Sequence, residues 1–328
     1  MRLVTPMRAV RFYEFGPPSV LRVMEVPDPE LEDDAVIVRV AAAGLNPVDT
    51  EIRAGHVAGV LTGQPPRGLG AEIAGTVERV GPLVSRYRPG DRVIAMLPTF
   101  KGEGYAELAA VQEDDLAPWP EGLSAAEAAC VPLAALTALQ ALRSKGGLRA
   151  RHRVFIHGAS GSVGTLAVQL AALLGGQVVG SASAQNLDLV RSLGAEDAVD
   201  YRAEDVTRRD GFDLVFDVAG TLPFGLARLM LRPHGGYVTT KVSPGVVTRT
   251  VLQKAMPGPT MSYSQVQPDG PALEWLSTLF ATGAARVVMD RTFAMTNASE
   301  AHAHLEGAHG PGTSALLIGD GGGASSQW

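Results

Sequence analysis

The sequence predicts an α/β chain in which a β-rich unit is joined to a doubly wound parallel sheet. Three observations predict it. Residues 7 to 122 hold many short, partly alternating apolar runs separated by Pro, Gly and Asp, as in a barrel-like antiparallel domain. Residues 153–174 pass from an apolar run through a small-residue turn into a helix-spaced pattern. Apolar strands then alternate with helices up to residue 240, which implies a parallel sheet covered on both faces.

In the β-rich unit the runs 7–12, 21–26, 35–40, 75–81 and 90–95 read as strands. From Ser124 the texture changes: Ser124 with Glu127 forms a capping box, and 134–142 reads as a second helix before the Gly146-Gly147 break.

At the centre of the chain Val154 to Ile156 enter Ala159-x-Gly161-x-x-Gly164, and Val163, Leu166, Ala167, Leu170 and Leu174 follow at helical spacing. This is a dinucleotide fingerprint with alanine in the first glycine's place. Backbone N–H groups of Ser160, Gly161, Ser162 and Val163, with the positive end of the helix, would hold a pyrophosphate. Glycine at 164 would let helix and sheet pack closely. Gly-rich turns also cap helices that bind nothing; the flanking strand and helix favour the coenzyme.

The next strand, 177–183, ends about twenty residues past the turn, where NAD-binding proteins usually carry an acid for the ribose hydroxyls. Ser181 stands there instead. With no carboxylate to repel a 2′-phosphate, and with Ser181, Ser183, Asn186 and Tyr201 as donors, NADPH is the expected coenzyme; the other reading is that these serines only end a strand.

Further units follow: a helix at 187–193 closed by Gly194, strands at 198–200 and 212–218, a helix at 221–231 and a strand at 236–240. Residues 257–271 are turn-rich, 272–281 amphipathic, 299–305 a short helix and 314–318 a last strand. The expected domains are 1–123, 124–270 and a returning 271–320, with 321–328, the end of a Gly-rich stretch from 319, as a disordered tail.

With 328 residues and 46% hydrophobic content the chain suits two sizeable cores. A net charge of −6 without a basic run argues against nucleic acid or an anionic membrane as partner. Residues 1–10 do not read as a signal peptide, and no apolar run reaches membrane-spanning length. The single Cys130 cannot form an internal disulfide, so a cytoplasmic enzyme is expected.

Several stretches together carry a resemblance. They are Met7-Arg8-Ala9-Val10, Phe15-Gly16-Pro17-Pro18-Ser19-Val20-Leu21, Ala42-Ala43-Gly44-Leu45-Asn46-Pro47-Val48-Asp49-Thr50, Arg53-Ala54-Gly55, Gly104-Tyr105-Ala106-Glu107 and His157-Gly158-Ala159-Ser160-Gly161-Ser162-Val163-Gly164. Along nearly its whole length the chain resembles the medium-chain dehydrogenase/reductase superfamily, and within it the zinc-free, NADPH-dependent quinone oxidoreductases related to zeta-crystallin. The resemblance implies a GroES-like catalytic domain, a Rossmann domain inserted in it, and a homodimer.

Zinc-dependent alcohol dehydrogenases of that superfamily carry a cysteine near position 46 and a Gly-His-Glu triplet near 70; here stand Asn46 and Gly70-Ala71-Glu72. Catalytic zinc needs three ligands and an open position, and that set is missing, so no metal is expected. His302, His304 and His309 form a histidine cluster, but the first two lie two residues apart on a predicted surface helix and face different sides. They read as incidental surface residues.

Without a metal, hydride transfer is easiest onto an acceptor that delocalises charge by itself, such as a quinone or an α,β-unsaturated ketone. By the resemblance Asn46 lines that site; its other role would be to bond its own loop. Asp49 reads as a helix cap. Thr137 offers a hydroxyl near the nicotinamide ribose or simply packs its helix, and Ala219 is counted with the coenzyme contacts. Relatives often place tyrosines after the Asn-Pro turn, one of them a proposed proton donor, where this chain has Glu51 and Val57. His56 is then a candidate donor near neutral pH, set against a solvated loop histidine. Lys241, after the last recognisable sheet strand, would donate a proton or touch a phosphate, or is a surface lysine. Asn186 replaces a lysine that many relatives offer to the 2′-phosphate. The leading expectation is an NADPH-dependent quinone or enone oxidoreductase. The alternatives are a pathway-specific enoyl or enone reductase and a non-catalytic NADPH-binding protein.

Overall fold

The computed structural model describes residues 6–57, 63–253, 256–307 and 310–319. Two compact units divide the chain, one of residues 1–133, 267–284 and 289–328, the other of residues 134–266 and 285–288.

The first unit opens with β1 (Pro6–Arg11), β2 (Arg22–Pro27), β3 (Ala35–Leu45), α1 (Pro47–Ala54), β4 (Glu72–Val80), β5 (Arg92–Met96), β6 (Leu108–Gln112), β7 (Leu116–Pro118) and α2 (Ala125–Ala129). β1 and β2 pair as a hairpin. β3 is the spine, antiparallel to both β4 and β6, while β5 joins β4 to β7. Successive side chains of a strand face opposite sides, and β3 buries both. Val36, Val38 and Val40 enter a core with Leu45, Ile73 and Val93, and Ile37 enters another with Met7, Ala9 and Leu108. The partial alternation of the sequence shows at Arg39, which lies on the Ile37 side of the strand and is exposed beside Glu78.

The second unit contains most of α3 (Pro132–Leu139), which runs on into a π-helical turn over 140–145. Gly147, at φ +60°, lies just past its end, at the break the sequence predicts. Then come β8 (Arg153–His157), α4 (Ser162–Leu173), β9 (Gln177–Ala182), α5 (Leu187–Ser192), β10 (Asp197–Asp200), β11 (Phe212–Asp217), α6 (Phe224–Met230), β12 (Leu231–Thr239), α7 (Pro244–Gln253) and β13 (Thr260–Tyr263). The sheet order is β10-β9-β8-β11-β12-β13, every pair parallel. Phe155, Phe212, Val215, Phe224 and Tyr237 build its core.

Several elements differ from the sequence reading: β6, β7 and the strand Met289–Ala294 were not named in it, and β12 begins at Leu231, where it placed the end of a helix. α6 starts three residues late, because Pro223 takes the N-cap and Asp217 binds the amides of Thr221 and Leu222. α7 went unpredicted: it opens on Pro244-Gly245 and is crowded with Val246, Val247, Thr248, Thr250 and Val251, β-branched residues that weaken the helical signal. β13 falls in the stretch read as turns and, among the described residues, pairs only with β12, a tertiary contact its four residues do not announce.

The chain returns to the first unit through α8 (Gly270–Ala281), β14 (Met289–Ala294), α9 (Ala298–Glu306) and β15 (Thr313–Leu317). The Asp269 side chain caps α8 by accepting from the Ala272 amide, and Leu273, Leu276 and Phe280 are buried. β15 completes the sheet, antiparallel to β3 and parallel to β14. Among the described residues no helix is long and apolar enough to cross a membrane. The tail expected to be disordered, 321–328, lies outside them.

Candidate active site

The topology of the parallel sheet singles out one place. Strand order runs outward in both directions from β8 and β11, and ligands of such sheets lie beyond the carboxyl ends of the strands at that reversal. There β8 ends on His157, in register with Asp217 of β11.

From His157 the chain turns through Gly158 at φ +83°, so the left-handed residue of this loop is Gly158 and alanine is tolerated at 159. Gly161, extended, is the N-cap of α4. A Cβ on Gly164 would fall 2.1 Å from the Gly158 carbonyl oxygen, which explains the glycine: helix and loop touch there. The first amides of a helix have no partner within it, and Ser160, Gly161, Ser162 and Val163 are partly exposed around them. The Ser162 hydroxyl is buried without a protein partner among the described residues. An unpaired donor at a dipolar helix start suits a pyrophosphate.

The predicted ribose end is only partly as expected. Ser181 is fully buried: its Oγ lies 2.8 Å from His157 Nδ1 and 3.4 Å from the Gly158 amide, so it faces inward. The Nε2 of His157 meets Thr221 Oγ1 at 3.0 Å, and burial holds this imidazole's pKa below its ordinary value against the pull of Asp217. Past the strand, Asn186 Nδ2 reaches Ser183 Oγ at 3.2 Å and Ser160 Oγ at 3.4 Å, tying the end of β9 to the phosphate loop. Tyr201 is exposed and edge-on to His157, with the Arg202 guanidinium 5.5 Å from its ring centre. Arg202 escaped the sequence reading, although it directly follows Tyr201. Ala219 abuts Gly158, and exposed Lys241 abuts Gly220. Thr137 is buried with its hydroxyl unpartnered among the described residues.

The first unit holds a second polar cluster. The Asn46 amide is buried at the mouth of α1; its backbone N–H donates to Asp49 Oδ2 at 3.1 Å, which confirms Asp49 as a cap. Asp49 does more than cap. It also accepts from Tyr105 Oη at 2.9 Å and from the Gly70 amide at 3.1 Å. The side-chain amide of Asn46 donates to Glu72 Oε1 at 2.8 Å, and Glu72 Oε2 accepts from the Leu133 amide at 2.8 Å. Desolvation pushes Asp49 up to about 6, with its hydrogen bonds opposing. Desolvation likewise pushes Glu72 up to about 8. The sequence reading noted Glu72 only as part of the missing zinc triplet.

His56, by contrast, is exposed beyond α1 with Nδ1 3.1 Å from Glu51 Oε2. The histidine cluster needs correction. His302 is fully buried, with both ring nitrogens unpartnered among the described residues, its ring edge-on to Tyr105. The helix is not a surface one at this position, because α9 turns Ala298, Ala301 and His302 inward. His304 Nε2 lies 2.6 Å from Asp290, and His309 lies outside the described residues. Among the described residues no group of three or more His, Cys, Asp or Glu side chains is placed to hold a metal ion.

Comparison with known proteins completes the picture. The family description "Alcohol dehydrogenase GroES-like domain" matches residues 32–121, and "Zinc-binding dehydrogenase" matches residues 193–313. The chain is 33% identical to the chloroplastic quinone-oxidoreductase QR1 of Triphysaria versicolor, covering 93% of this chain and 97% of that protein. Among solved structures, the quinone oxidoreductase of Coxiella burnetii superposes with TM-score 0.86 at 31% identity, covering 96% of this chain and all of that one. The quinone oxidoreductase of Escherichia coli complexed with NADPH gives TM-score 0.80 at 26% identity, covering 94% and 99%.

Proposed function

The chain belongs to the medium-chain dehydrogenase/reductase superfamily, a family of pyridine-nucleotide oxidoreductases, and from that premise we propose that it is an NADPH-dependent, zinc-independent reductase of quinones or α,β-unsaturated carbonyl compounds. The observation that supports this reading most is the pairing of a phosphate-loop helix start with a β9 end that carries no exposed acid, where Ser183, Asn186, Tyr201 and Arg202 gather instead. A 2′-phosphate meets donors and a guanidinium there. The NADPH complex of the Escherichia coli relative agrees with it.

Bound there, the reduced coenzyme supplies a hydride. The amides of Ser160 to Val163 and the hydroxyl of Ser162 would hold the pyrophosphate, and Thr137 would offer its hydroxyl to the nicotinamide ribose. Lys241 and Ala219 flank the loop. Asn46 supplies the acceptor's site with an N–H: a primary amide carries two, and Glu72 takes one. The second stabilises negative charge as it grows on the acceptor oxygen. The proton that completes reduction comes from the exposed side, by His56 or water, since neither tyrosine position of the relatives holds a tyrosine here.

A homodimer fits the exposed apolar side chains Val251, Leu252 and Met256 near sheet-edge strand β13. The single reduced thiol of buried Cys130 fits a cytoplasmic location.

Stopped-flow oxidation of NADPH against a panel of quinones and enones tests the proposal, with elemental analysis of the same material. Turnover on several acceptors without stoichiometric metal is expected. Activity confined to one enone would identify a pathway-specific reductase, tight NADPH binding with no turnover would identify a non-catalytic binder, and stoichiometric zinc in active protein would overturn the metal-free chemistry.

A further inference from the structure

Glu72 is fully buried at the start of β4, where no packing argument asks for a carboxyl. An apolar residue of similar volume would avoid the desolvation that a buried acid costs. The surroundings are nevertheless shaped around it. A Cβ on Gly44 would lie 2.1 Å from Glu72 Oε1, so the glycine before Leu45-Asn46 clears the space that the carboxyl occupies. Both oxygens are used, one by the Asn46 side-chain amide and one by the Leu133 backbone amide, each at 2.8 Å.

We propose that Glu72 is a positioning residue for the reduction, clamping the Asn46 side chain so that its second N–H stays directed at the acceptor. This rests on the reading of Asn46 given under the proposed function. A primary amide on a loop turns about its terminal torsion at little cost. Pinning one of its hydrogens to a carboxyl that is itself held by the Leu133 backbone removes that freedom. The donor is then in place before charge develops, which is what makes such a donor effective.

The protonation state suits the task. Asp49 of α1 is the charge felt by Glu72, and it has the same sign; Tyr105 and Cys130 face the cluster from the segment before β6 and from the end of α2. Burial raises both of those groups as well; burial of Glu72 and the like charge of Asp49 disfavour a second negative charge, and they outweigh the hydrogen bonds from Asn46 and Leu133 that favour it. Glu72 is therefore a neutral acid near neutrality, able to accept from Asn46 without presenting a charge that would repel an incipient oxyanion.

The test is a double-mutant cycle on purified full-length protein, reading kcat and KM for the best quinone or enone, with the NADPH dissociation constant as a check on folding. Asn46→Ala should lower kcat about 100-fold. Glu72→Ala should lower it by a similar factor with the acceptor KM and NADPH affinity little changed. The double variant should be no worse than Asn46→Ala, and Glu72→Gln, which keeps an acceptor oxygen, should recover most of the rate. Should Glu72→Ala not fold, Glu72→Leu fills the volume without an acceptor and serves in its place. Losses that multiply in the double variant, or wild-type kcat in the Ala and Leu variants, would overturn the assignment of Glu72. Wild-type kcat in Asn46→Ala would instead overturn the role of Asn46, and the clamp with it.

Discussion

The His157 imidazole and the Ser181 hydroxyl, 2.8 Å apart, close the end of β8 against the end of β9. This contact turns Ser181 into the protein and leaves recognition beyond the strand to Ser183, Asn186 and the Tyr201-Arg202 pair. Coenzyme choice should therefore respond to Ser183 and Arg202.

A carboxylate at 183 would face a 2′-phosphate across partly exposed space. Ser183→Asp should raise KM for NADPH at least about tenfold, a cost of ~1.4 kcal/mol, while KM for NADH changes little. Arg202→Ala should shift the two in the same sense. Ser181→Asp, by contrast, would bury a charge beside His157 and should impair both coenzymes and thermal stability together. Steady-state kinetics with each coenzyme checks this; equal effects of Ser183→Asp on both would refute NADPH selectivity.

The contact of α4 with its own loop gives a second expectation. Gly164→Ala places a methyl 2.1 Å from the Gly158 carbonyl oxygen, and backbone cannot step aside as a flexible side chain would. Overpacking of this kind costs about 1–3 kcal/mol. The variant should melt at lower temperature and bind NADPH more weakly, as urea denaturation and fluorescence titration would report; unchanged values would mean that the helix start can retreat.

What was legible in the sequence, and what was not, divides along physical lines. The β8-loop-α4 unit was readable because its signals are local: an apolar strand, small residues at fixed offsets and a 3.6-residue period. The alternation in β3 was readable for the same reason. α7 and β13 were not, since one opposes its own helix propensity and the other exists through pairing with β12. In the candidate site, Asn46 was named by resemblance, but Glu72 lies 26 residues away in the chain and meets Asn46 only because β3 and β4 pair. Ser181 was misjudged because sequence offset gives a position along a strand, not which way the side chain faces. His302 was misjudged because α9 carries only a weak apolar stripe and hides which side is packed.

The buried acids give a pH signature. Glu72 rises from 4.5 to about 8 on folding, so between those values the native state holds a proton that the unfolded chain has lost, and stability falls as pH rises. Asp49 behaves alike between 3.8 and about 6. In the window from pH 6.5 to about 8, Glu72 is the member of this pair still responding, at a slope of about 1.3 kcal/mol per pH unit at the lower end that falls to about half of that at the upper end. Glu72→Gln should flatten the melting temperature across that window; a slope equal to that of wild type would show that the carboxyl is not neutral in the folded protein.

His302 acts with the opposite sign. Burial, with Arg53 adding to it, lowers its pKa from 6.5 to about 3, and both ring nitrogens lack partners among the described residues. Below pH 6.5 the unfolded chain takes up a proton that the native imidazole refuses, so this group makes the protein lose stability on acidification, by about 2 kcal/mol between pH 7 and pH 5. Over the same interval Asp49 and Glu72 push the other way, and the wild-type profile is the difference of the two. His302→Leu removes the imidazole while keeping an apolar body beside Tyr105. Its stability should therefore rise relative to wild type as pH falls from 7 to 5, by differential scanning calorimetry at each pH. A constant offset between the two proteins would mean that the folded imidazole takes up its proton over the same pH range as the unfolded one, and would overturn the lowering of its pKa by burial and by the Arg53 cation.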